Sequence, residues 1–148
     1  RAKIGDYPFT TLDPNLGDLY GYTIADIPGL IEGAHTGKGL GMKFLRHIKK
    51  TRVLVHLVSF ENGEDIMKVY KKIRKELEEY GEGLSEKEEI ILLTKTDTVD
   101  EKIVVKQIKE FKKLKNPVYA VTLFDEKNVK EIADDLVKFL KKENKKAE

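Results

Sequence analysis

The chain has 148 residues, 40% of them hydrophobic and 36% charged, with a formal net charge of +2. That length suits one domain with its own core, and so small a net charge points to neither DNA nor a membrane surface. The absence of cysteine excludes disulfides and thiolate metal sites and fits a reducing, cytoplasmic setting; no signal peptide opens the chain and no apolar run approaches the ~18 residues of a membrane span.

Residues 1–14 show little periodicity, and Asp6-Tyr7-Pro8-Phe9-Thr10-Thr11-Leu12-Asp13-Pro14 reads as an extended loop. Leu16 to Tyr20 is predicted as a strand. It joins through Gly21 to a short buried strand, Tyr22 to Ala25, and so tight a link makes the two antiparallel. Pro28 and Gly29 then force a turn. Gly33 to Gly41 contains four glycines and runs into a helix with Leu40, Phe44, Leu45 and Ile48 on one face.

From there strand and helix alternate. Val53 to Val58 is a continuous apolar run, expected to be buried on both faces. A helix follows with Ile66, Val69, Tyr70, Ile73, Leu77 and Tyr80 on one stripe. Ile90 to Leu93 is the next buried strand, ending at Thr94-Lys95-Thr96-Asp97. Asp100 is placed to cap a helix bearing Val104, Ile108, Phe111 and Leu114 inward. Pro117 to Val121 is the last strand, and the last helix carries Val129, Ile132, Ala133, Leu136 and Leu140 along one face. The pattern predicts an α/β fold: a mostly parallel sheet with one antiparallel edge strand and helices on both faces. Residues 1–148 form one domain in this reading, and the charged stretch 141–148 is expected to fray.

In such a sheet ligands sit beyond the carboxyl ends of the strands. Three strand ends carry suitable chemistry: Asp26-Ile27-Pro28-Gly29, Thr94 to Asp97, and Thr122-Leu123-Phe124. Gly29 lacks a Cβ, so a phosphate can approach its N–H closely. A carboxylate at Asp97 can accept two N–H bonds from the Watson–Crick edge of guanine, a donor pair adenine lacks. The aliphatic stem of Lys95 can lie along the purine face. Taken singly, each stretch also reads as an ordinary exposed turn; their succession along the chain is what carries weight.

Residues Asp6 to Gly17, Ala25 to His35, and Gly39-Leu40-Gly41 with Phe44-Leu45-Arg46-His47-Ile48 together resemble the Obg family of P-loop GTPases. The likeness is specific over residues 3–58 and looser to about residue 140. It implies a GTP-binding, slowly GTP-hydrolysing switch domain that associates with the large ribosomal subunit. It also implies Mg²⁺ as cofactor, held by the Thr11 hydroxyl and, through a water, by Asp26. Phe9, Thr10, Thr11, Leu12 and Asp13 would then form the first switch. Asp26, Ile27, Pro28 and Gly29 would form the second, with the Gly29 N–H on the γ-phosphate. Thr94, Lys95, Thr96 and Asp97 would form the guanine site, and Thr122, Leu123 and Phe124 a loop whose backbone N–H meets the base oxygen. The γ-phosphate would order both switches and hydrolysis release them.

The sequence departs from the family pattern at several positions. Thr94 stands where the family has Asn and makes fewer hydrogen bonds, so weaker base binding is expected with selectivity kept. Thr122-Leu123 replaces Ser-Ala. Leu30 stands where Ras-like enzymes keep a water-orienting Gln, which suggests slow intrinsic hydrolysis. No Gly-x-x-x-x-Gly-Lys-Ser/Thr phosphate loop occurs in these residues; Gly37-Lys38 is followed by Gly39. The resemblance implies that this motif lies upstream, on the sheet's central strand. Without about four buried side chains, each contributing roughly 1.5–3 kcal/mol, these residues alone are expected to be marginally stable and impaired in nucleotide binding.

His35, His47 and His56 lack metal-ligand spacing. His56 reads as a hydrogen-bonded core residue, and His35 as a low-ranking candidate for positioning water. Lys43, Arg46, Lys49 and Lys50 lie near one side of a helix, as a solvated face or as a contact to ribosomal RNA. The alternative to a GTPase is a non-catalytic module of the same fold that binds ribosomal or protein partners. A receiver-like domain fits worse, because its acidic cluster is missing.

Overall fold

The computed structural model describes residues 16–25, 51–63, 65–81 and 83–147. The segments expected to be switches, Phe9–Asp13 and Asp26–Gly29, together with His35 and the helix expected to carry Leu40, Phe44, Leu45 and Ile48, lie outside the described residues. Two compact units are distinguished, residues 1–51 with 71–87, and residues 52–70 with 88–148.

In the first unit, β1 (Leu16–Leu19) and β2 (Tyr22–Ala25) form an antiparallel hairpin with Leu16 opposite Ala25 and Leu19 opposite Tyr22. Tyr20 and Gly21 make the turn at φ 48° and 91°. Positive φ at both central residues is the mark of a type I′ two-residue hairpin turn, so Tyr20 leaves the strand expected to contain it. β2 is not buried: Thr23 is exposed and Ile24 is 50% exposed. A ribbon of two four-residue strands has too little area to cover both of its faces.

α1 (Ile66–Tyr80) crosses the boundary between the units at Tyr70. It stops at Gly81, whose φ of 79° suits glycine and whose N–H bonds the Leu77 carbonyl. Beyond it Leu84 is fully buried, and Arg74 donates to the Ser85 carbonyl at 2.9 Å. Lys87 Nζ reaches the Thr51 carbonyl.

The second unit holds a parallel sheet ordered β3 (Val53–Ser59), β4 (Glu88–Thr94), β5 (Val118–Val121). Val53 lies opposite Glu88, and Ser59 opposite Thr94. Ile91 faces Val118, and Thr94 faces Val121. The strand ends that matter for a ligand are therefore level with one another. α2 (Glu101–Lys112) and α3 (Glu126–Ala147) complete the α/β pattern. The antiparallel pair forms a sheet of its own among the described residues.

Val58, Phe60, Ile66, Tyr70, Ile91, Leu93 and Phe111 make the core, with Met67, Val99, Val104, Ile108 and Val118 packed against it. Tyr70 meets Phe111 edge to face, ring centroids 5.3 Å apart. β3 is not buried on both faces as its apolar run predicts. Leu54 and Val58 are buried, whereas Val55 and Leu57 are 42% and 63% exposed. β3 is the outer strand of the described parallel sheet, where alternate side chains point away from the core. Leu114 is 37% exposed rather than inward, because α2 ends at Lys112 and a turn with Lys115 at φ 66° follows. Asp100 occupies the helix-capping position with its carbonyl, not its side chain.

Beneath the sheet's helices lies a buried polar cluster. Glu89 accepts from Tyr70 Oη at 2.5 Å and pairs with His56 Nδ1 at 3.2 Å. Asn116 Nδ2 adds a longer contact at 3.4 Å. His56 is thus the hydrogen-bonded core histidine expected from its apolar strand. At the far end, α3 continues to Ala147, and Arg52 donates to Asn144 Oδ1 at 2.7 Å.

Candidate guanine site at the strand ends

The last residue of β4, Thr94, turns its hydroxyl back toward the Val58 carbonyl at 3.5 Å, across to the neighbouring strand. Lys95 then adopts a left-handed conformation, φ 59° and ψ 44°, which a side chain with a Cβ enters only under constraint. The constraint is Thr98, whose N–H and Oγ1 both donate to the Lys95 carbonyl, at 3.1 and 2.7 Å. This kink opens a short 3₁₀ turn, Thr96–Thr98, and leaves Lys95 and Asp97 exposed beyond the sheet.

The end of β5 comes to meet it. Thr122 Oγ1 donates to Asp97 Oδ1 at 2.8 Å, so two strand ends 25 residues apart in sequence are joined at one carboxylate. Thr122 is itself held by Asn128 at the start of α3. Asn128 Oδ1 accepts the Thr122 N–H at 3.2 Å while its Nδ2 donates to the Ala120 carbonyl at 3.3 Å. Asp125 caps that helix start, accepting the Asn128 N–H at 3.1 Å. The Phe124 N–H bonds Thr122 Oγ1 at 3.3 Å, and Leu123 and Phe124 project 75% and 86% exposed.

A third strand end joins from β3. Ser59 Oγ accepts the Glu61 N–H at 3.0 Å and shapes the turn Phe60–Asn62, and Glu61 Oε2 pairs with Lys95 Nζ at 2.6 Å. In β5 itself, burial and the Asp135 carboxylate raise the Tyr119 phenol above its usual 10.0. Tyr119 is therefore uncharged at neutral pH and adds no anion next to the site.

Of the residues expected in the guanine site, Lys95, Asp97 and Thr122 are thus drawn together, whereas the Thr94 hydroxyl is directed to β3 and Thr96 opens the turn. In the β5 loop the Thr122 and Phe124 N–H groups are spent internally. Among the described residues the Leu123 N–H of that loop has no partner. Two participants escaped the sequence reading, Glu61 and Asn128. Asn128 had a signal, since Asp125 three residues before it marks a helix start. Glu61 had none beyond Ser59 two residues earlier. No group of acidic or histidine side chains fit for a metal occurs among the described residues. No described helix is long and apolar enough to cross a membrane.

A parallel sheet with a carboxylate, a lysine and a hydroxyl gathered beyond adjacent strand ends has the architecture of a nucleotide-binding α/β domain. Comparison with known proteins narrows that class. A family model described as 50S ribosome-binding GTPase matches residues 1–95. GTPase Obg of Orientia tsutsugamushi, strain Boryong, is 41% identical over 147 residues, covering 96% of this chain and 44% of the relative. GTPase Obg of strain Ikeda matches to the same extent. The chain belongs to the 50S ribosome-binding GTPase family, as a member similar to GTPase Obg, and spans 44% of the length of those relatives.

Proposed function

We propose that these residues are one G domain, the GTP-binding and slowly GTP-hydrolysing switch of an Obg-type protein, working in the cytoplasm with the large ribosomal subunit as partner. The observation that carries the reading is the Thr122–Asp97 hydrogen bond. It presents a carboxylate edge, flanked by the Lys95 stem, where guanine offers two N–H donors. Asp97 selects the base, Lys95 covers its face, and the Leu123 N–H meets the base oxygen. Thr94 contributes to the joining of β4 and β3 rather than to the base, because its hydroxyl points to β3.

Mg²⁺ belongs to the other half of the reading. A threonine hydroxyl and an aspartate carboxylate are hard oxygen donors of the kind this ion takes, so Thr11 and Asp26 suit it, and it would supply charge neutralisation at the phosphates. Phe9 to Asp13 and Asp26 to Gly29 are the proposed switch segments, with the Gly29 N–H on the γ-phosphate. The 148 residues contain no Gly-x-x-x-x-Gly-Lys-Ser/Thr cradle, so as a separate piece they are expected to hold nucleotide weakly.

Isothermal titration of the full-length protein with GDP and ADP, in Mg²⁺, tests the reading. Asp97→Asn replaces one of two acceptors with a donor facing a donor. A lost pairing of about 1–3 kcal/mol lowers GDP affinity roughly 10- to 100-fold and erodes the preference over ADP. Unchanged GDP affinity in Asp97→Asn would refute it. A non-catalytic module remains the second reading, favoured by the diversion of the Thr94 hydroxyl, and it requires GDP binding to be absent from the start.

A further inference from the structure

We infer that Glu61 is a positioning residue of the guanine pocket, acting through Lys95 to hold the lysine stem ready for the base. This rests on the guanine-site reading above and adds a residue to it from a third strand end.

The turn that bears Glu61 is fixed at both levels. Phe60 is buried in the core at 4% exposure, Ser59 Oγ holds the Glu61 N–H from above, and Gly63 at φ 93° ends the turn. The turn lies against Thr96–Thr98. Lys95, in turn, is fixed at its backbone by Thr98. The lysine is therefore anchored at both ends, its carbonyl by Thr98 and its ammonium by Glu61 Oε2 at 2.6 Å. Only the four-carbon stem between them is unsupported.

Stability does not account for the ion pair. Both side chains are more than half exposed, 54% and 56%, and exposed pairs contribute little once solvent screens them. Pre-organisation does. A free lysine must surrender most of its rotamer freedom to lie along a purine, and that loss weakens binding unless it occurs beforehand. Glu61 takes that freedom away in the empty protein. It also balances the Lys95 charge, so the stem, not the ammonium, is the part offered to the base.

The test is a double-mutant cycle in the full-length protein, read by GDP titration and GTPase kinetics at about 0.15 M salt, where long-range attraction is damped. Glu61→Ala is expected to weaken GDP binding about three- to five-fold, the most of the lysine's rotamer freedom that an exposed ion pair can remove beforehand. It should raise KM for GTP by the same factor with kcat unchanged, the mark of lost uniform binding. Glu61→Gln, which keeps an acceptor, should recover most of the loss. In a Lys95→Met background, Glu61→Ala should change nothing further. GDP affinity within two-fold of the parent in Glu61→Ala would overturn the inference, as would an equal loss in the Lys95→Met background. Asp97→Asn runs alongside. Normal Asp97→Asn weakening with a silent Glu61→Ala sinks this inference alone, whereas a silent Asp97→Asn sinks the guanine reading and this inference with it.

Discussion

Glu89 is a carboxylate 4% exposed in the middle of a sheet, and Tyr70, His56 and Asn116 are among the groups that make its burial tolerable. Tyr70→Phe keeps the ring on Phe111 and His56 but removes the O–H donor to Glu89. The expected cost is about 1–3 kcal/mol, seen as a lower urea midpoint with an unchanged slope; an unmoved midpoint would show that the remaining partners suffice. The same residue shows where sequence reading stops. The apolar run around His56 announces a core histidine that needs a partner, yet nothing local to it names Glu89, 33 positions away. The position of Asp97 was legible for the opposite reason. Its proposed role depends on standing just past a strand, and the strand Ile90 to Leu93 is written in four consecutive apolar residues.

Elements followed the periodicity closely: Ile66, Tyr70 and Leu77 of α1, Phe111 of α2 and Ile132 of α3, each on the stripe its spacing defines, are buried. The errors cluster at edges and ends. Val55 and Leu57 are apolar in a strand that lies outermost among the described parallel strands, and a hydrophobic run cannot say on which side its neighbours stand. Tyr20 reads as a strand residue by composition but sits in a turn by geometry. At the β5–α3 junction, Asn128 clamps Thr122 and Ala120 at once. Asn128→Ala removes two bonds of about 0.5–1.5 kcal/mol each, frees the Thr122 loop and lowers GDP affinity several-fold. Amide hydrogen exchange at Thr122 should quicken in that variant; unchanged exchange there would rule the clamp out.

At the scale of the whole molecule, the largest fully buried side chain among the described residues lies in the second unit. Phe111 is fully buried, lies at the edge of Tyr70, and belongs to the cluster that joins α1, α2 and the sheet. Phe111→Ala is expected to cost about 3–5 kcal/mol, a large part of the roughly 5–15 kcal/mol that holds a domain together. Thermal melting by circular dichroism reads this directly, and a loss under about 1 kcal/mol would mean the site collapses without a cavity.

Every bond found to shape the candidate guanine corner, from Ser59 through Lys95 and Asp97 to Asn128, runs within the second unit. The proposed phosphate-sensing segments, Phe9 to Asp13 and Asp26 to Gly29, are other stretches of the sequence and lie outside the described residues. Under the proposed function, grip and message fall to separate stretches of polypeptide. A timer built that way would rewrite its signal when the terminal phosphate departs and still keep hold of the spent nucleotide.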